Sequence, residues 1–255
     1  MRQIVFLKQV PASTEVRLDP ETHTLVRSGS KARTNPDDLH ALRMAVEIKE
    51  RTGGSVVAVS MGPPQAVAVL KEALMNGADE AILLSDRVFA GSDTWSTGYV
   101  LSAAVRKIGA VDLLLFGKQA IDGDTAQVGP GVAAQLNMPQ LTEVLQVEEV
   151  SLESITVLKT TDRGTQLLRA AYPCALTVSK EANSLPAPSL RDWERSEATQ
   201  VTHWSAADLD LDVSLLGLSG SPTRVVRTSV PDERDSIVWL NTTEGLSSLL
   251  KQLIS

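Results

Sequence analysis

Residues 117–130 read Gly-Lys-Gln-Ala-Ile-Asp-Gly-Asp-Thr-Ala-Gln-Val-Gly-Pro, a composition and order suited to holding a phosphate or diphosphate. They follow an almost wholly apolar run, Val111–Phe116, and lead into an apolar-periodic segment, Val128–Leu136. Strand, polar glycine-rich turn and helix in that order place unpaired N–H groups and a helix amino terminus at the end of a buried strand, where both favour negative charge. Gly117, Gly123 and Gly129 are expected to let the backbone approach a ligand closely, with Thr125 and Gln127 adding side-chain donors. Two carboxylates, Asp122 and Asp124, stand in the same turn. They would repel phosphate unless they cap the helix or accept from ribose hydroxyls. The competing reading is a plain capping turn with Asp at the cap.

Such a turn needs a sheet to hold it, and the first 140 residues have the grammar of one. Short apolar runs alternate with helical patterns: strand Ile4–Val10, strand Ser55–Met61, helix Gln65–Asn76, strand Ala81–Leu84, helix Asp93–Ile108 and strand Val111–Phe116. Val16–Val26 reads as a hairpin or excursion around Asp19-Pro20. Asn35-Pro36-Asp37-Asp38 is a helix start, with Asn at the cap, Pro at the first position and acids in the first turn. This alternation implies a parallel sheet covered on both faces, with ligands at the carboxyl ends of the strands. Lys8, Met61, Ser85-Asp86 and Gly117-Lys118 would lie there. Beyond about residue 140 the pattern changes, and Leu141–Val150, Ser154–Thr161 and Gln166–Lys180 read as antiparallel strands. From Ala182 the chain is rich in proline and charge and carries Trp193 and Trp204, which reads either as an ordinary surface excursion or as an arm around a partner, closed by a helix at Thr242–Ile254. With Trp193, Trp204 and Leu215-Leu216 left exposed, the chain alone would be poorly stable.

Composition narrows the function classes. The 255 residues are 43% hydrophobic and 22% charged, ordinary globular values, and the net charge of −7 offers no basic patch for nucleic acid. No apolar run approaches the roughly 20 residues that span a bilayer, and MRQIVFLKQV lacks the pattern of a signal peptide. The single cysteine, Cys174, sits among apolar residues and reads as a buried thiol in a reducing cytoplasm. His23, His40 and His203 are too scattered for a metal site. Neither the G-x-x-x-x-G-K-[ST] loop nor the G-x-G-x-x-G fingerprint is present.

Several segments together resemble a known family. KQVP (Lys8–Pro11), NPDDLHALRMAVEIKE (Asn35–Glu50), VSMGP (Val59–Pro63), EALMNGADEAILLSD (Glu72–Asp86), Gly117–Pro130 and GLSGSPTRVV (Gly217–Val226) are similar, in order, to the electron transfer flavoprotein β subunit. The resemblance implies an α/β domain of the adenine-nucleotide-hydrolase (Rossmann-like) type with antiparallel additions. It also implies a nucleotide-binding domain over residues 1–181 and an extended C-terminal arm over 182–255 embracing an α subunit. Electrons would pass between flavins and an acyl-CoA dehydrogenase-type partner. Positions carried over as lining the nucleotide pocket are Phe6, Lys8, Asn35 and its neighbour Asp38, Met61, Lys118, Gln119, Ala120, Asp122, Gly123, Asp124, Thr125, Ala126, Gln127, Val128 and Gly129.

Members differ in what fills that pocket: a structural AMP, or a second FAD that accepts a hydride from NADH in electron bifurcation. FAGSDTWSTGYVLSAAV (Phe89–Val105) resembles the bifurcating group, and Asp93, Thr94 and Thr97, with Ser92 and Ser96, would supply donors beside the phosphate turn. A Ser/Thr-capped helix is the simpler account of the same residues. Gly123 between two acids also resembles the bifurcating version, so the second FAD is favoured over AMP. Leu190 falls where the family has a recognition loop whose leucine docks into the dehydrogenase, although Ser184-Leu185 replaces the usual Arg-Tyr before it. A different class, a stand-alone adenine-nucleotide-binding protein of the same fold, lacks support from an S-G-G-x-D-S loop after the first strand and has no need of the arm.

Overall fold

The structure, a computed structural model, describes residues 1–12, 32–226 and 242–254. The excursion expected at Val16–Val26, and His23 with it, lie outside the described residues. The chain divides into two compact units, Met1–Arg224 and Val225–Ser255, so the boundary expected at 181 falls inside the first.

In chain order the first unit contains β1 (Arg2–Phe6), β2 (Gln9–Pro11), β3 (Ala32–Thr34), α1 (Pro36–Thr52), β4 (Ser55–Met61), α2 (Val67–Met75), β5 (Glu80–Leu84), α3 (Thr94–Ile108), β6 (Leu113–Gly117) and α4 (Val128–Gln135). It continues with β7 (Gln140–Val150), β8 (Ser154–Thr161), β9 (Gly164–Ala171), β10 (Cys174–Val178), α5 (Leu190–Ala198), β11 (Thr202–Trp204) and α6 (Gly217–Gly220). One sheet runs β11-β5-β4-β1-β6-β10-β7-β8-β9, and β2 pairs with β3 in a separate small ribbon. From β11 to β7 the pairs are parallel; β8 and β9 are added antiparallel. This is the expected α/β class. Its central strands are buried on both faces, which is why β6, Leu-Leu-Leu-Phe-Gly, is an unbroken apolar run. One core packs α1 and α2 on one face, and a second packs α3 and α4 on the other.

The order of strands fixes where a ligand can bind. From β1 the chain steps outward through β4 to β5, then returns to place β6 on the other side of β1. The crossovers therefore diverge between β1 and β6, and a crevice opens at their carboxyl ends. Phe6 and Phe116 stack at that point, with ring centroids 4.4 Å apart.

The sheet corrects two expectations. Gln166–Lys180 is two strands, not one, and the second, β10, is parallel and lies between β6 and β7. Tyr172-Pro173 makes the break, because proline has no N–H to continue the β8–β9 ladder. All five residues of β10 are buried, so this short segment completes the parallel sheet and does not extend an antiparallel edge. Cys174, at its start, is a buried thiol pushed up to about 12 by burial.

Much of the segment after 181 also packs on this chain. β11 pairs with β5, Leu216 is buried, and Trp204 joins the second core with Lys107 over its ring. Trp204 and Leu216 are thus not left exposed as expected. Lys71 of α2 donates to the carbonyls of Ser196, Glu197 and Thr199, capping the last turn of α5 from outside the helix. Arg195 of α5 reciprocates to Leu74 O at the end of α2. In the second unit, α7 (Thr243–Ile254) has exposed Leu246, Leu249 and Leu250 at helical spacing. Among the described residues no helix is long and apolar enough to cross a membrane.

Gly117, at the end of β6, is required by packing. A Cβ there would meet the Asp38 carboxylate oxygen and stand 2.6 Å from the Asp37 carbonyl carbon and 2.7 Å from the Asp38 nitrogen, two backbone atoms that cannot swing aside. Gly117→Ala is expected to lower stability by about 1–3 kcal/mol, the usual cost of overpacking, seen as a reduced denaturant midpoint. An unchanged midpoint would mean that α1 does not press on β6 as closely as the structure has it.

Candidate functional site

The amino end of α1 organises the crevice. Asn35 occupies the cap position, yet its side chain makes no capping bond to its own helix. Its amide instead donates to Gln119 O at 2.8 Å, and its Oδ1 accepts from the Ile121 N–H at 3.2 Å. Asp37 accepts from the Gln119 N–H. Asp38 accepts from the Lys8 N–H at 2.8 Å through one oxygen and from the Gly117 N–H at 3.2 Å through the other. Three neighbouring side chains thus take the amides of 117, 119 and 121 in turn. Lys118 N, between them, donates to Val178 O at 2.9 Å. The loop after β6 is held at every residue from Gly117 to Gln119.

Both aspartates are buried, which raises their carboxyls despite these donors. Burial pushes Asp38 up to about 7, against the opposing effect of hydrogen bonds from Lys8, Asn35 and Gly117.

Past Gln119 the loop becomes the exposed turn singled out in the sequence. The N–H groups of Thr125, Ala126 and Gln127 have no backbone acceptor among the described residues. Asp124 (φ 50°) and Ala126 (φ 54°) are left-handed, and right-handed Gln127 follows. Such alternation turns successive amides toward one side, as in anion-binding nests. Left-handed backbone costs a residue with a Cβ on the order of 1–2 kcal/mol. The turn's strain therefore rests on Asp124 and Ala126, where the glycines had been expected to bear it. Gly129 sits where a Cβ would meet Thr177 at 2.9 Å and Phe116 at 3.2 Å, so it serves close packing of α4 on the sheet. Of the three glycines singled out in the sequence, Gly123 is the one with open space around it.

These elements enclose a cavity of about 980 Å³. Its floor is apolar: Phe6, Val59, Met61, Phe89, Leu101 and Phe116. Along its walls stand Lys8, Asp38, Asp93, Thr94, Thr97, Lys118, Gln119, Ala120, Gly123, Asp124, Thr125, Ala126, Gln127, Val128 and Gly129. Of the residues proposed from the sequence, Asn35 and Asp122 are not on the wall. Asn35 is wholly buried and acts from behind the loop. Asp122 pairs with Lys8 at 2.6 Å, which places a positive charge against the acid that had been expected to repel a phosphate. The far end of the cavity, Pro63, Pro64 and Arg87, was not anticipated. The signal was present, since these residues directly follow β4 and β5.

The start of α3 divides its donors between the chain and the cavity. Asp93 caps the helix through the Ser96 N–H and also accepts from the amide and hydroxyl of Thr223, while its own N–H donates to Ser221. Burial would raise its carboxyl, but these hydrogen bonds, led by that from Ser96, hold it below the usual range. Ser92 donates to Phe89 O, and buried Ser96 donates to Leu215 O. Thr94 reaches across to Gln127 Oε1 at 2.9 Å, tying α3 to the turn that precedes α4. Ser96 therefore acts within the chain, whereas Ser92, though bonded to Phe89 O, lines the cavity together with Thr94 and Thr97.

Leu190 is remote from the cavity wall. It is the first residue of α5, behind a capping box formed by Ser189 and Asp192, and not part of a loop. It is 72% exposed, and Trp193, one turn on, is 50% exposed.

Known proteins place this arrangement. The family described as an electron transfer flavoprotein domain matches residues 22–209. The electron transfer flavoprotein subunit beta of Thermoanaerobacterium thermosaccharolyticum is 44% identical, covering all of this chain and 98% of that protein. The chain belongs to the electron transfer flavoprotein β-subunit family. Its role is electron transfer, and the stand-alone nucleotide binder of the same fold is set aside. Protein FixA of Sinorhizobium fredii is 42% identical, over all of this chain and 93% of its own length. The caffeyl-CoA reductase-Etf complex subunit CarD of Acetobacterium woodii is 41% identical, over 99% of this chain and 98% of its own.

The Asp38 clamp gives a pH signature. Its folded value of about 7 lies above the ordinary aspartate value of 3.8, so between the two the folded chain keeps a proton that the unfolded chain releases. Its contribution is therefore full below about pH 4 and is lost as pH rises through about 7. In denaturation from pH 5 to pH 8.5, wild type should lose stability relative to Asp38→Asn. Parallel curves for the two proteins would refute the assignment.

Proposed function

We propose that this chain is the β subunit of a heterodimeric electron transfer flavoprotein of the electron-bifurcating type, with FAD held in the cavity between β1 and β6. The observation that carries the reading is the extent of the cavity. At about 980 Å³ it runs from the phosphate turn, past Thr94 and Thr97, to Pro63 and Arg87. That is the upper end of the roughly 300–1,000 Å³ typical of small-molecule sites, and suits a dinucleotide better than a mononucleotide. The proposed complex oxidises NADH in the cytoplasm and delivers electrons to an acyl-CoA dehydrogenase-type flavoenzyme. The relative in a caffeyl-CoA reductase-Etf complex supports a partner that handles a CoA thioester. The residues after 181 would contact the α subunit through the surfaces they leave outward, including α7.

The hydride and one-electron chemistry is that of the flavin when bound. The chain's own task is placement. The amides of Thr125–Gln127 and the amino end of α4 would hold phosphate oxygens, as at other helix amino termini. The apolar floor would exclude water from a planar ring, and the Asn35–Asp38 clamp would keep the turn in register with β1. Lys8 and Lys118 supply positive charge on the wall, each tempered by a carboxylate, Asp122 and Glu143.

A second reading, a structural AMP in the same cavity, draws on one observation. Asp93, Ser92 and Ser96 are engaged within the chain, which leaves fewer donors for a second phosphate and ring. The nucleotides released by denaturing the intact heterodimer decide between the two. Two FAD and no AMP per heterodimer is the expected result. One FAD with one AMP would establish the non-bifurcating form, and an intact complex without flavin would sink the functional reading.

Leu190 and Trp193 form the exposed apolar spot assigned to dehydrogenase docking. Leu190→Ala is expected to slow electron delivery to the partner about tenfold, consistent with a small buried anchor, while nucleotide content stays unchanged. A variant that transfers at the wild-type rate would move docking elsewhere.

A further inference from the structure

Glu143 drew no attention in the sequence, yet its backbone is among the least ordinary in the chain. It lies near the start of β7 at φ +56°, a conformation that disfavours any residue with a Cβ. The sheet register shows how it comes to be there. Leu141 pairs with Leu176 and Val144 with Val178, so three steps on β7 span two on β10. The extra residue makes a bulge of the kind that re-aims a side chain beside a binding site. The Glu143 amide, lost from the ladder, donates to Thr177 Oγ at 3.0 Å. Its carboxylate reaches the Lys118 ammonium at 2.9 Å. Lys118 is on the cavity wall, and its main chain is already fixed to Val178.

The parts fit one purpose. The main-chain bond from Lys118 to β10 places its Cα but leaves four side-chain torsions free. A carboxylate delivered by the next strand removes much of that freedom. Glycine would suit the backbone of position 143 better, but has no side chain with which to hold a lysine.

We propose that Glu143 is a positioning residue, which holds the Lys118 ammonium at the cavity wall so that the pair, and not a freely rotating lysine, meets the bound nucleotide. This rests on the reading that the cavity holds a nucleotide and adds the residue that orders one of its cations.

The test uses the heterodimer, following nucleotide retained after transfer into nucleotide-free buffer together with the melting temperature. Lys118→Met and Glu143→Ala should each speed loss of one nucleotide equivalent about tenfold, the scale of one charged hydrogen bond. The double variant should be no faster than Lys118→Met alone. Glu143→Gln, which can still accept from the lysine, should restore most of the retention. Glu143→Gly is the discriminating variant: it relieves the backbone, so it should melt at or above the wild-type temperature while losing nucleotide as fast as Glu143→Ala. A glycine variant that retains nucleotide like wild type would overturn the proposal, as would effects of the two single variants that multiply in the double. A wild-type heterodimer with no nucleotide beyond the α subunit's own would overturn the cavity reading first, before any variant is made.

Discussion

The structure depends on one set of hydrogen bonds, those from the side chains of Asn35, Asp37 and Asp38 to the loop that leaves β6. Two strands adjacent in a sheet are held by their ladder, but beyond their carboxyl ends nothing in the ladder says where the chains go. Here Asp38 joins the Lys8 and Gly117 amides, one from each side of the crevice. Asn35 extends the hold to Ile121. Burying carboxylates is unfavourable unless donors and a helix dipole compensate. At the amino end of α1 both are present, and the raised carboxyl of Asp38 measures what remains uncompensated.

With that clamp in place the rest of the site follows from geometry. Gly117 has no side chain because α1 presses against it. The turn beyond Ile121 starts from a fixed point, so the left-handed Asp124 and Ala126 can be sustained by their surroundings. Thr94 then joins the turn to α3, and Asp93 joins α3 to Ser221 and Thr223. Residues more than a hundred positions apart thereby border one cavity. The two lysines on its wall each carry a carboxylate partner from behind it, Lys8 with Asp122 and Lys118 with Glu143. A wall of paired charges can meet an anionic ligand without a strong field when the site is open.

The segment after 181 is more closely tied to its own domain than its composition suggests. Its polar, proline-containing sequence reads as an arm because short elements that pack on an existing surface need few apolar residues. Three residues of β11 suffice when β5 already offers an open edge. Two basic side chains, Lys71 and Arg195, fasten α5 to α2 by carbonyl capping, and no periodicity reports that. Apolar side chains still stay outward in it, among them Leu190, Trp193, Val213 and Leu218.

The sequence by itself determined the parallel core, because strands buried on both faces must be apolar throughout and βα alternation permits few topologies. It also determined the location of the site, through an apolar strand that ends in a polar turn and opens a helix. Similarity of motif brought in most wall residues. Tertiary structure alone decided three things. Asn35 turns from capping to clamping because the loop after β6 offers it better partners than its own helix does. β10 enters the parallel sheet because β6 leaves an edge to fill, which a local pattern of apolar residues cannot distinguish from an antiparallel one. Glu143 faces Lys118 because a bulge in register turns it there, and register is a relation between strands that neither strand carries alone.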